Sequence, residues 1–358
     1  MPVKSFSTQL IVLFFLLSFT TQSVLAQYND LKNNDDIPWI AKFSMDHSFS
    51  FSTDSDQQNI VKLIKFYDDP SNMEGAGCNN WVIRQVFQNA IDGYYECYKD
   101  SELTQRIPNS DIKSSSVLVD TIITFYPETL EEVIEIKKVE IDPSYSKNFR
   151  TKQIIYYNQK TENFDTKLIA VAPLVAMDSD NNLMPLFWIK LDASLPKTFD
   201  IHAPNISWGA LIDTKGNPLD LNRVEVVKNE NNFDFSLFLQ QQAMNLDKPV
   251  ENAKGYGCNI FLTKNELANA YNSIDTIITF DPSTFTETIE IDKYEFDPKD
   301  VSNFRLVQEW YYDGKSKKMM NRLKAICPLY LIRNDGVIEY IKDGSPRYAK
   351  PLYFIRYN

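Results

Sequence analysis

The chain has 358 residues and a formal net charge of −11, from 37 basic and 48 acidic side chains. Nucleic-acid binding depends on Lys and Arg side chains that displace counterions from phosphates, and an acidic chain lacks this driving force. The acidic residues are spread along the chain, a pattern that favours solubility and excludes nucleic acid or an anionic membrane surface as a partner.

The first 26 residues have the organisation of a secretory signal peptide. Lys4 gives a positive start, residues 11–17 form an apolar core, and Val24 and Ala26 stand at positions −3 and −1 of a cleavage site after Ala26. The apolar core is shorter than the roughly 20 residues that a spanning helix needs, so an uncleaved anchor is the less favoured alternative. We therefore predict an exported protein whose mature chain has no transmembrane segment.

A helix is predicted before the strands of each half. Apolar residues recur with a period of 3.6 residues from Trp81 to Ile91, and Gly93 is a typical residue just past a helix end. A weaker pattern of the same kind runs from Phe235 to Met244. Each half is therefore expected to lay one helix on a sheet.

The strands of the first half follow this helix. Residues 121–125 form a β-branched run that stops before Pro127, and Ile then alternates with charged residues from residue 134 onward. The alternation changes parity near Lys138, and the second half changes parity near Lys293, which predicts a β-bulge or a sharp bend at both places. Further strands are predicted at residues 149–157, 167–176 and 184–191.

One segment of the chain occurs twice. Asp120–Phe125 is repeated letter for letter as Asp275–Phe280, and the similarity continues at the same offset of 155 residues (275 − 120 = 155). This period is the size of a domain and is too long for stacked solenoid repeats. After a signal peptide at 1–26 we predict two α+β domains, at 27–195 and 196–358, each a mainly antiparallel sheet with one packed helix.

The motifs of common enzymes are missing from the sequence. The two histidines, His47 and His202, stand in no metal-ligand or triad spacing, and no nucleophile elbow, phosphate-binding loop or Cys-x-x-Cys occurs. Paired acids such as Asp68-Asp69 leave a glycosidase as a weak alternative, and the acids of residues 178–182 leave a calcium loop. We predict no catalytic residue, cofactor or metal ion.

Four cysteines follow the signal peptide, namely Cys78, Cys97, Cys258 and Cys327. In an oxidising compartment they could pair in three ways, and the sequence does not choose among these. Cys97 and Cys258 have similar neighbours, whereas Cys327 takes the place of Ala172 in the repeat and is expected to be a small buried side chain.

Two pairs of repeated residues are candidates for an interface. Arg150 and Arg305 each follow Asn-Phe and open a strand, so each could form an internal ion pair that braces the turn or a basic group on an assembly surface. Tyr157 and Tyr312 each end a Tyr-Tyr pair in a strand, where one ring faces the core and the other faces outward. The outward ring could cover the sheet or bind a partner.

Several of these strands resemble a known family. Segments Ile154–Asn158, Lys167–Leu174 and Pro185–Ile189, together with Glu309–Asp313 of the second half, resemble the GldN/PorN family of gliding-motility and type IX secretion proteins. Upstream, Asp36–Trp39 resembles the same family. The sequence is therefore similar to a tandem duplication of a GldN-like domain.

The resemblance implies a periplasmic, non-enzymatic protein. Family members assemble with a lipoprotein of the GldK/PorK type under the outer membrane and contact a protein of the GldM/PorM type, so outer-membrane association would come through partners. This favours a structural component of the type IX secretion or gliding apparatus. The alternative is a free periplasmic binding module for a peptide or glycan, with an apolar cleft between the copies lined by Tyr157 or Tyr312.

Overall fold

The computed structural model describes residues 30–48, 60–66, 77–114, 117–126, 128–129, 132–140, 148–176, 183–191, 203–215, 217–254, 256–257, 259–270, 272–284, 286–295, 301–331, 333–334, 337–338 and 348–357. The helices are α1 (Gly77–Ile91), α2 (Asn109–Ile112), α3 (Phe235–Asn245) and α4 (Lys264–Ala270), with a 3-10 helix at Leu221–Arg223. The strands are β1 (Trp39–Ser48), β2 (Ile60–Phe66), β3 (Cys97–Tyr98), β4 (Arg106–Ile107), β5 (Val117–Phe125), β6 (Glu132–Glu140), β7 (Asn148–Asn158), β8 (Asn163–Ala176), β9 (Leu183–Pro185), β10 (Trp188–Lys190), β11 (Ile206–Asp213), β12 (Leu219–Asp220), β13 (Glu225–Asn229), β14 (Val250–Asn252), β15 (Asn272–Asp281), β16 (Thr286–Glu295), β17 (Asn303–Asp313), β18 (Lys318–Leu331), β19 (Arg333–Asn334), β20 (Val337–Ile338), β21 (Tyr348–Pro351) and β22 (Tyr353–Arg356).

Two eight-stranded antiparallel sheets form the body of the molecule. The first sheet has the order β13-β1-β7-β8-β10-β3-β4, with β9 paired to β8. The second sheet has the order β14-β22-β18-β17-β11-β2, with β12 paired to β17 and β21 paired to β18. Together with the helices, these sheets confirm the predicted α+β class with mainly antiparallel strands.

The same architecture is built twice. Strand β7 spans Asn148–Asn158 and β17 spans Asn303–Asp313, so both ends are displaced by 155 residues. Strands β8 and β18 show the same displacement at both ends (318 − 163 = 155 and 331 − 176 = 155). The predicted duplication is therefore present in the strands as well as in the amino-acid sequence.

Each sheet takes one strand from the other half of the chain. Strand β2, in the first half, pairs with β11 in the second sheet, where Trp208 lies opposite Phe66. Strand β13, in the second half, pairs with β1 in the first sheet, where Trp39 lies opposite Asn229. The boundary at residue 195 stays a prediction, and the sheets join strands from both sides of it.

The helices begin and end for local reasons. The side chain of Asp234 accepts a hydrogen bond from the backbone N–H of Leu237 at 2.9 Å and caps the N-terminus of α3, and Leu246 adopts a left-handed φ of 55° at its C-terminus. Helix α1 ends just before Gly93, whose φ of 81° suits glycine. Both predicted helices are confirmed.

Two apolar clusters fill the space between the sheets, and each cluster combines residues of both sheets with residues of helices. Helix α1 packs in the cluster of Phe87, Phe149, Phe187, Trp208, Trp310 and Met319. Helix α3 packs in the cluster of Trp39, Phe43, Phe164, Phe235, Phe304, Leu323 and Tyr353. Because neither cluster belongs to one half alone, burial of apolar surface stabilises the two halves together.

Equivalent polar residues of the two repeats meet at the centre of this packing. The Nε2 of Gln308 donates to the Oε1 of Gln153 at 2.8 Å, and these positions differ by 155. The Nδ2 of Asn321 donates to the Oγ1 of Thr166 at 3.2 Å, again across an offset of 155. A contact between a residue and its own counterpart is expected at a two-fold axis. The two halves are therefore related by a pseudo-two-fold axis through this buried cluster.

His47 on β1 is a buried base beside the same cluster. It is 2 % exposed, and its ring lies between Phe149 and Trp310, with centroids 5.2 and 4.9 Å away. Its Nε2 lies 3.1 Å from the Oγ1 of Thr151, and its Nδ1 has no hydrogen-bond partner in the described part of the chain. Burial lowers the pKa of His47 to about 3, although Asp46 opposes this shift. The folded protein therefore holds this ring neutral.

This shift predicts an acid-sensitive fold. The pKa of His47 in the folded state lies below the ordinary value of 6.5, so the unfolded state binds a proton more readily than the folded state does. The free energy of unfolding therefore falls as the pH falls below about 6.5. Between about pH 7.5 and about pH 5 we expect His47 to remove about 2 kcal/mol from the free energy of unfolding. Urea titrations of wild type and His47→Gln at both pH values measure this, and equal pH dependence in the two proteins would contradict it.

The described cysteines are reduced and buried. Cys97 and Cys327 are both free thiols with no exposed surface. Cys327 packs with Val307 and Phe354, which confirms that it is a small core side chain. Burial raises the pKa of both thiols to about 12. The side chains of Cys78 and Cys258 lie outside the described residues.

Candidate functional site

Two hairpins stand apart from the large sheets. We name β5–β6 the first ribbon and β15–β16 the second ribbon. Each is a two-stranded sheet, and neither pairs with a third strand among the described residues. The β-branched runs Val117–Phe125 and Asn272–Asp281 explain why each first strand forms, since Val, Ile and Thr favour extended backbone.

The predicted bulges near Lys138 and Lys293 are wrong. Cross-strand pairing runs without a register shift along the whole first ribbon, from Val117 opposite Glu140 to Phe125 opposite Glu132. The second ribbon is equally regular. A strand keeps one parity when one face is buried in a core, and a hairpin that lies away from the core is free of this constraint. A change of parity in the sequence therefore does not require a bulge here.

One face of the first ribbon presents large apolar side chains to solvent. In the register, Ile123 lies opposite Ile134, and Thr121 opposite Ile136, so these side chains share a face with Phe125. Ile123, Phe125, Ile134 and Ile136 are 52, 61, 58 and 62 % exposed. Exposed apolar patches of this kind mark interaction sites in soluble proteins.

The second ribbon repeats this face position by position. Ile278 lies opposite Ile289, and Phe280 follows two residues later on the same face. These three side chains are 59, 59 and 56 % exposed and stand 155 residues after Ile123, Ile134 and Phe125. We therefore take the two matched ribbon faces as the candidate functional site, a pair of equivalent docking surfaces.

The predicted arginines form internal ion pairs. The guanidinium of Arg150 binds the carboxylate of Asp46 on the neighbouring strand, with its Nε 2.6 Å from Oδ1 and a second contact of 2.8 Å. Arg305 makes the same two-point contact with Asp213, and its Nε lies 3.1 Å from Oδ1. These acids come from β1 and β11. A contact of either arginine with a partner protein stays a prediction.

The predicted tyrosines lie inside the fold. Tyr157 is 6 % exposed and packs against Phe164 and Phe238, with ring centroids 5.0 and 4.6 Å away. Tyr312 is 2 % exposed, and its hydroxyl accepts a hydrogen bond from the Nδ2 of Asn89 on α1 at 2.7 Å. In this fold both rings contact the chain itself instead of lining a cleft between the copies.

The sequence contained a signal for the ribbon faces that motif searching missed. The run Asp120–Phe125 is the stretch repeated letter for letter, and four of the exposed positions lie in it or in its counterpart, namely Ile123, Phe125, Ile278 and Phe280.

Several other predictions concern metal ions, membrane-spanning helices and segments outside the described residues. The described residues contain no cluster of three or more His, Cys, Asp or Glu side chains that could hold a metal ion. In the same residues, no helix is both long enough and apolar enough to cross a membrane. The signal peptide at 1–26, His202 and residues 178–182 lie outside the described part.

Comparison with known proteins gives one family. The family model described as "Gliding motility associated protein GldN" matches residues 60–206 and 227–358. No curated protein matches the chain. The first matched segment begins at Ile60, the start of β2, and the second contains all of α3 and the second ribbon.

Proposed function

The chain belongs to the GldN family of gliding motility associated proteins, and from this we propose that it is an exported, non-enzymatic structural component that acts in the periplasm by protein–protein assembly. The family is one of gliding motility and type IX secretion components. The observation that carries the proposal is the family match over both repeats.

The geometry supports an assembly role. Each sheet contains a strand from the other half of the chain, and both sheets contribute to the same apolar clusters, so the body is a single scaffold. Each half extends a hairpin whose apolar face carries side chains that are more than half exposed. An isolated two-stranded hairpin is marginally stable in water, and a partner that covers its apolar face would stabilise it. Ribbons whose apolar faces are covered by a partner are therefore expected in a protein that works inside a larger complex.

The proposed partners are a GldK/PorK-like lipoprotein and a GldM/PorM-like protein. The lipoprotein would hold the chain at the outer membrane, so the chain itself would be a peripheral component with no span of its own. A chain exported by residues 1–26 and cleaved after Ala26 would meet both partners in the periplasm.

Binding to these two proteins tests the proposal. We expect the purified mature chain to form a larger particle with the non-lipidated lipoprotein, or with the periplasmic part of the GldM/PorM-like protein, in size-exclusion chromatography with light scattering. An unrelated acidic periplasmic protein of similar net charge controls for non-specific ionic binding. A monomer that retains neither partner, and that a peptide or glycan stabilises against heat, would overturn it in favour of the binding-module alternative.

A further inference from the structure

The two ribbons keep the same exposed face although the helices that precede them have diverged. Helices α1 and α3 occupy matching places, yet their sequences share little, because many combinations of apolar residues fill a core. The exposed residues Ile123, Phe125 and Ile134 do not pack in a core that would constrain their identity, yet the residues at the equivalent positions of the second repeat are identical. An external contact made by both ribbons explains this identity.

The charge of the ribbons indicates what kind of surface they contact. Residues 117–140 contain six acidic and two basic side chains, a net charge of −4 (2 − 6). Residues 272–295 contain six acidic and one basic side chain, a net charge of −5 (1 − 6). Glu132 and Glu287 are exposed on the apolar faces, opposite Phe125 and Phe280. Two such ribbons repel one another, whereas a surface that carries Lys and Arg attracts them.

The pseudo-two-fold axis relates the ribbons to each other. Gln153 contacts Gln308, and Thr166 contacts Asn321, so the axis passes through the buried polar cluster and relates the two repeats, of which the ribbons are equivalent parts. Two surfaces related in this way present the same face to two separate copies of a partner. Binding through both would raise the overall affinity when the two partner copies are linked.

We propose that each ribbon binds the same element of one partner protein, an apolar strip flanked by Lys and Arg, so that one chain holds two copies of that partner. This rests on the proposed function, because it describes how the chain would join its assembly. The acidic charge of both ribbons argues against a second copy of this chain as the occupant.

Paired ribbon variants test the proposal. The double substitution Ile123→Ser and Ile134→Ser removes the apolar face of the first ribbon. The double substitution Ile278→Ser and Ile289→Ser removes the apolar face of the second ribbon, and a variant with all four substitutions removes both faces. Met184→Ser with Val226→Ser is the matched control, since these residues are 53 and 48 % exposed outside the ribbons. Circular dichroism and thermal unfolding establish that each variant is folded.

The probes are the non-lipidated lipoprotein and the periplasmic part of the GldM/PorM-like protein, measured by native mass spectrometry and calorimetry. We expect wild type and the control to bind two copies of one probe, each two-site ribbon variant to bind one copy, and the four-site variant to bind at least about tenfold more weakly. Added salt should weaken wild-type binding, because it screens the acidic ribbons.

The possible failures are distinguishable. If wild type binds one of the probes and the ribbon variants bind it equally well, the ribbons are not the docking surfaces, and the proposed function stands without this inference. If wild type associates with itself through the ribbons, the occupant is a second copy and the inference is overturned. If wild type binds neither probe, the proposed function fails and this inference fails with it.

Discussion

Replacing Asp213 by alanine is expected to lower the free energy of unfolding by about 3–5 kcal/mol, because it leaves the charged Arg305 buried without its partner. The side chains of Arg305 and Asp213 are 11 and 7 % exposed. A guanidinium stays protonated in proteins, so Arg305 cannot avoid the free-energy cost of a buried unpaired charge by losing its proton. Arg305 also contacts the ring of Phe354, whose centroid lies 5.1 Å from the guanidinium carbon. Urea unfolding followed by tryptophan fluorescence measures the change.

The first repeat supplies the matched control. Asp46→Ala breaks the equivalent contact with Arg150, but these side chains are 41 and 32 % exposed. Water replaces the lost partner there, and the expected loss is about 0–1 kcal/mol. Equal losses in the two variants would show that burial does not distinguish the pairs.

A chain cut between residues 195 and 196 is expected to remain one particle in native buffer. Separation would remove β2 from β11 and β13 from β1, and it would open both apolar clusters. Obligate interfaces with such a shared core commonly bury on the order of 2,000 Å² or more. A protease site inserted at this point, followed by size-exclusion chromatography and denaturing gels of each fraction, measures the result.

The same cut chain provides its own control. In concentrated guanidinium chloride the two fragments should separate, which shows that cleavage was complete. Fragments that elute apart in native buffer would show that the halves fold as independent domains, and the strand exchange would then contribute little to cohesion.

Local features of the fold were predictable because their causes are local. The helix at Trp81–Ile91 follows from a period of 3.6, and the matching strands β7 and β17 follow from the offset of 155. The partner of a strand is a different matter. The sequence of β2 does not indicate that β11 is its neighbour, because the pairing of an edge strand depends on the packing of the whole sheet.

The candidate site was harder to predict for a related reason. Asp46 and Asp213 precede their arginines by 104 and 92 residues, so the offset of the repeat does not identify them. Ile134 and Ile136 alternate with Glu, a pattern typical of a half-buried strand, yet both are exposed. Periodicity reports that a face is apolar and leaves open whether the chain itself or another molecule covers it.

The exchange of strands also determines when the molecule can fold. Strand β1 begins at residue 39, and its edge partner β13 begins at residue 225, so 186 residues separate them (225 − 39 = 186). Pairing over such distances makes folding slow, because a long loop must close before the contact forms. A nascent chain that has not yet delivered β13 cannot complete its first sheet. The first sheet therefore becomes complete only after residue 229 has been made.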